Sequence, residues 1–100
     1  MNDGPVKLLI QEIEDYLDAG SVGLYEFMWI LNSEKVEGSK DDHRRLARQA
    51  LDHLLLQKRG HLISLMWAQP DTQQDLNRDI RPEDFDDPQE DIPYVAITRD

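Results

Sequence analysis

The apolar residues of the chain change period at Gly60, and that switch limits what the chain can fold into. Before it, Ala47, Ala50, Leu51, Leu54 and Leu55 recur at the three-to-four spacing of a helical stripe. After it, His61-Leu62-Ile63-Ser64-Leu65-Met66-Trp67 has the length and alternation of a strand, with Ile63, Leu65 and Trp67 on one side. Helix and strand must therefore share one core, an α+β arrangement.

The remaining segments fall into place around that switch. Val6, Leu9, Ile10, Ile13 and Leu17 mark a first helix over Val6–Asp18. Pro5 suits its first turn, and Gly20 suits its end. Ser21-Val22-Gly23 is short enough to be a stub of strand. Leu24 to Asn32 is apolar on nearly every side with Glu26 its only charge, as in a buried second helix. Tyr25, Phe27, Trp29 and Trp67 are accordingly expected in the core. After a polar turn, Ser39 or Asp41 can cap a third helix over about Asp41 to Lys58, with Asp42 in its first turn and Gly60 as its stop. Residues 69–92 hold three prolines, nine acidic side chains and two basic ones, and their only large apolar residues are Leu76, Ile80, Phe85 and Ile92. A long acidic loop, partly disordered, is the expectation. Pro93 to Thr98 supplies a last strand to pair with residues 61–68.

At 100 residues the chain has room for a single domain. Its 39% hydrophobic content supports a small core. Zero cysteines exclude a disulfide framework, a thiolate zinc site and a cysteine nucleophile. No apolar run approaches the roughly 18 residues of a membrane span, and Met1-Asn2-Asp3-Gly4-Pro5 lacks the basic start of a secretory leader. A cytoplasmic protein without membrane contact is expected.

Charge divides the chain into three. Residues 1–39 carry 2 basic and 8 acidic side chains, residues 40–60 carry 6 and 3, and residues 61–100 carry 3 and 10, for a net charge of −10. The one positive stretch is flanked by two negative ones, whose field opposes approach to a polyanion.

The order helix, strand stub, helix, turn, helix, strand, long loop, strand resembles the winged-helix superfamily over roughly residues 6–98. The likeness is carried by "SVGLYEFMWILN" and "ARQALDHLLLQKRGHLISLMW". It implies a small three-helix domain with a two- or three-stranded antiparallel ribbon and residues 69–92 as the wing. In DNA-binding members the third helix enters the major groove, so by position Arg44, Arg45, Arg48 and Gln49 inherit the recognition role. This wing departs from the pattern, because its net charge of −7 sets carboxylates against phosphates. Fold alone does not decide function here.

The candidate sites follow from the same pattern. Arg44, Arg45 and Arg48 have the chemistry for phosphate or guanine contacts. Asp41 and Asp52, each one helical turn from an arginine, can equally occupy them in a solvated face. The run Glu83-Asp84-Phe85-Asp86-Asp87-Pro88-Gln89-Glu90-Asp91 is either a solvated loop or a docking surface for a basic protein, with Phe85 as its anchor. It lacks the aspartate spacing of a calcium loop. His43, His53 and His61 form no metal-binding motif, and the glycines form no phosphate-cradling loop. There is no nucleophile elbow either. No catalysis and no cofactor are expected. The reading these features favour is a non-catalytic acidic module that docks on a basic protein partner through Glu83, Asp84, Phe85, Asp86, Asp87, Glu90 and Asp91. In its sharpest form this is an immunity or antitoxin-like protein covering a nuclease's positive cleft. The alternative is a DNA-binding regulator, disfavoured by charge, that uses the third helix, as a homodimer packed through helix 1.

Overall fold

A computed structural model describes residues 4–66, 69–89 and 92–99, with the side chains of 69–72 outside that description. Three helices, α1 (Gly4–Leu17), α2 (Leu24–Ser33) and α3 (Lys40–Leu56), share one core with a four-stranded antiparallel sheet. Its strands are β1 (Val22–Gly23), β2 (His61–Met66), β3 (Gln69–Asp75) and β4 (Pro93–Thr98), in the spatial order β1-β4-β2-β3. The α+β class and the pairing of residues 61–66 with 93–98 are as the hydrophobic pattern implies. His61 faces Thr98 and the register runs without a break to Met66 opposite Pro93.

Each helix buries its apolar stripe. Leu9, Ile13 and Leu17 of α1 meet Ala47, Ala50, Leu51 and Leu54 of α3, with Leu24, Phe27 and Leu31 of α2 in the same cluster. Val22, Val95 and Ile97 close that cluster from the sheet. Strand β2 carries apolar contacts on both faces: partly buried Leu62 packs on the helical core, while Ile63 and Leu65 form a separate cluster with Ala96 and Tyr94. An alternating strand pattern thus serves two apolar layers here. Trp67, expected beside Ile63 and Leu65, lies outside the described residues.

The helix ends are built locally. Ser39 accepts from the Asp42 backbone N–H, and Asp42 in return accepts from the Ser39 N–H, a reciprocal cap. At its other end α3 is stopped by Lys58 and not by Gly60. Lys58 takes a left-handed φ of 56°, and Arg59 N–H reaches back to the Leu54 carbonyl. Lys35 ends α2 in the same way, at φ 55°. Gly60 answers to a different demand, since a Cβ there would run into the Thr98 carbonyl oxygen of β4.

Two expectations are overturned. Residues 69–92 are not one long loop: Gln69–Asp75 is an edge strand on β2, and Pro82–Phe85 is a turn of 3-10 helix. Phe85 is only 3% exposed and meets Phe27 edge-on, with Leu76 and Ile80 packed on the same core. Three apolar side chains spaced through a polar segment thus pack against the core. Trp29, conversely, is not core: the residue is 52% exposed. An α2 that seemed buried all round turns one edge to water.

Candidate functional site

Phe85 pins the acidic segment, and the charges on either side of it then find partners. Asp84 accepts both arms of the Arg78 guanidinium at 2.8 Å and the Arg81 N–H at 2.7 Å. Burial pushes the Asp84 carboxyl up, but Arg78 and Arg81 outweigh it and hold it below its ordinary value. Asp86 accepts from Arg44 at 2.6 Å and lies 3.3 Å from the Lys40 ammonium. The Arg44 hydrogen bond is the main reason its carboxyl is likewise lowered. Asp87 accepts from the Trp29 indole N–H at 2.9 Å. Glu83 sits 3.6 Å from Arg81 at the surface. Glu90 and Asp91 lie outside the described residues.

The segment sequence analysis offers as a docking surface is therefore largely engaged within its own chain. Phe85 in particular faces the core and cannot anchor a partner. The same contacts lie across the face of α3 that the winged-helix resemblance assigns to base reading. Arg44 is held by Asp86 and, at 3.6 Å, by Asp41. Arg48 donates to Asp52 at 2.9 Å and to the Ile80 carbonyl at 3.3 Å. Arg45 pairs with Asp42 at 3.8 Å, not with Asp41 as the spacing suggests. Arg45 and Gln49 remain exposed. Together with Arg81, Pro82 and Phe85, the four α3 residues line a shallow cavity of about 320 Å³. The approach of Arg81 to α3 could not be seen in the sequence, because it depends on Phe85 being buried.

The histidines do not converge. His43 is buried, and its Nε2–H donates to the Val36 carbonyl at 2.8 Å, bracing the α2–α3 turn. Among the described residues no group of His, Asp or Glu side chains is placed to hold a metal ion. No described helix is long and apolar enough to cross a membrane.

The side of the molecule formed by α1 and α2 has a different character. Tyr16 and Trp29 are 43% and 52% exposed there, with Glu12, Glu26 and Glu34 around them. Trp29 packs edge-on against Tyr25, their ring centres 4.8 Å apart, and Tyr25 meets Tyr94 in turn at 5.7 Å. Burial, then Glu26, Tyr94 and Asp87, push the Tyr25 hydroxyl up to about 12. The clue to Trp29 was its place beside Glu26 on a short helix, which left one edge without an apolar neighbour. Against known proteins, no family model, no curated protein and no solved structure matches this chain.

Proposed function

We propose that this chain is a non-catalytic module that docks on a basic protein partner. The observation that carries the reading is the pairing of the α3 arginines with carboxylates of the same chain. Arg44, Arg45 and Arg48 each lie against a carboxylate of the same chain, so these arginines do little to offset the net charge of −10. A cationic surface is drawn to such a molecule at long range, and a polyanion is repelled. A cytoplasmic immunity or antitoxin-like role, covering a nuclease's substrate cleft, is the most specific form of this reading.

The alternative, a winged-helix regulator reading DNA through α3, draws on one observation: Arg81 joins Arg45 and Gln49 around the cavity on that helix. Duplex binding would compete with the Asp86 and Ile80 contacts already seated there. One comparison separates the two readings. The protein is titrated with an alternating arginine–serine peptide and with duplex DNA of mixed sequence, each across a range of salt. The proposal expects peptide binding that weakens as salt rises. A specific duplex bound tighter than about micromolar near physiological salt would overturn it in favour of the regulator.

A further inference from the structure

Between the C-terminal half of α1 and the outer side of α2 lies an open groove of about 440 Å³. Tyr16 and Trp29 give it aromatic walls, and Glu12, Glu26 and Glu34 supply three carboxylates. Among the described residues no lysine, arginine or histidine lines it. Exposed tyrosine and tryptophan are the side chains on which binding energy concentrates at interfaces. Here the indole is also held in advance: Asp87 accepts its N–H and Tyr25 packs on its edge. A wall fixed beforehand loses little freedom on binding. Glu26 is held too, its carboxylate accepting from the Gly23 N–H at 2.7 Å.

The geometry points to this groove as the seat of an arginine side chain presented by the basic partner. The inference rests on the basic-partner reading and moves the contact from residues 83–91 to the α1–α2 side. A guanidinium is planar, stacks on aromatic faces and pairs with carboxylates, so both kinds of group in the groove act on it at once. A neutral or anionic side chain would leave the three carboxylates uncompensated. Charge complementarity therefore selects the occupant, and the aromatic walls select arginine over lysine.

The alternating arginine–serine peptide and its lysine counterpart are titrated into the full chain. Binding is followed through the Trp29 indole N–H resonance, assigned by its loss in Trp29→Phe. Tyr16→Ala changes no charge. The double variant Glu12→Gln/Glu34→Gln is compared with Glu37→Gln, a charge loss outside the groove. The expected result is a shifted Trp29 resonance, with tighter binding of the arginine peptide. Tyr16→Ala and the double variant should each weaken that binding by about tenfold, and Glu37→Gln by less than about twofold. Far-UV circular dichroism checks that each variant is folded, and the double variant keeps the test open if Tyr16→Ala is not. Wild-type affinity in both groove variants overturns the groove and leaves the basic-partner reading standing. Absence of any peptide binding to the wild type at low salt overturns both. A dimer in sedimentation equilibrium that Tyr16→Ala dissociates assigns the groove to a second copy of the chain and overturns the arginine.

Discussion

Asp86 accepts a 2.6 Å hydrogen bond from the guanidinium of Arg44, 42 residues earlier in the chain. The bond joins the most acidic segment to the most basic helix and turns two candidate binding surfaces into one internal contact. Both side chains are partly solvated, so the pair is screened. Asp86→Ala should cost about 1 kcal/mol, at the upper end for such pairs because Lys40 converges on the same carboxylate. The loss should shrink at high salt in urea melts, and amide exchange over residues 82–87 should quicken.

Phe85 and Trp29 invert the roles their sequence neighbourhoods imply. Phe85→Ala empties a buried site between α2 and α3 and should destabilise by about 3–5 kcal/mol. Trp29→Ala removes a half-exposed ring and should cost about 1 kcal/mol, within the range of ordinary substitutions. Denaturant midpoints of the two variants, measured side by side, check the order.

Acid should loosen the molecule at one place and alkali at another. Asp84 and Asp86 are lowered in the folded state. Their contribution is therefore present above the ordinary aspartate value of about 4 and is lost as pH falls through the depressed values. Tyr25 has the opposite sign. Its folded value of about 12 exceeds the ordinary 10.0, so its contribution is present below pH 10 and lost as pH rises from there towards 12. Melting temperature against pH should fall on both flanks. Tyrosinate absorbance should show a late-titrating hydroxyl that Tyr25→Phe removes.

Two lysines carry a backbone conformation that glycine adopts more easily. Lys58→Gly and Lys35→Gly should each stabilise by about 0.5–1 kcal/mol, the left-handed penalty relieved less the added entropy of the unfolded chain. Gly60→Ala should do the reverse, because the new Cβ meets the Thr98 carbonyl. Thermal melts of the three variants distinguish a glycine needed for its dihedral angles from one needed for its missing side chain.

The hydrophobic periods located α1, α2, α3, β2 and β4 to within about two residues, because each of those elements buries a stripe that its own spacing records. Strand β3 was invisible for the opposite reason. Gln69–Asp75 lies on the sheet edge and is held by backbone pairing to β2, which leaves no apolar alternation to read. The acidic segment misled in a further way. Its charge was plain, but its partners Arg44, Arg78 and Lys40 are fixed by where Phe85 lands, a long-range event that composition does not encode. Trp29 reads as core in the sequence because aromatic residues at helical spacing usually are, and the short α2 offers few neighbours to contradict it.

Strand β4 follows every other element in chain order yet lies inside the sheet, with β1 on one side and β2 on the other. Val22 cannot find Ile97, nor Leu62 its partner across the ladder, until the ribosome has released the segment that carries them. During synthesis the three helices therefore wait with their sheet-facing side uncovered, and local helix formation runs far ahead of the contacts that secure it. The net charge of −10 sets such chains apart from one another by repulsion. The surplus carboxylates thus bear on the unfinished molecule too, since like charge opposes the approach of one such chain to another.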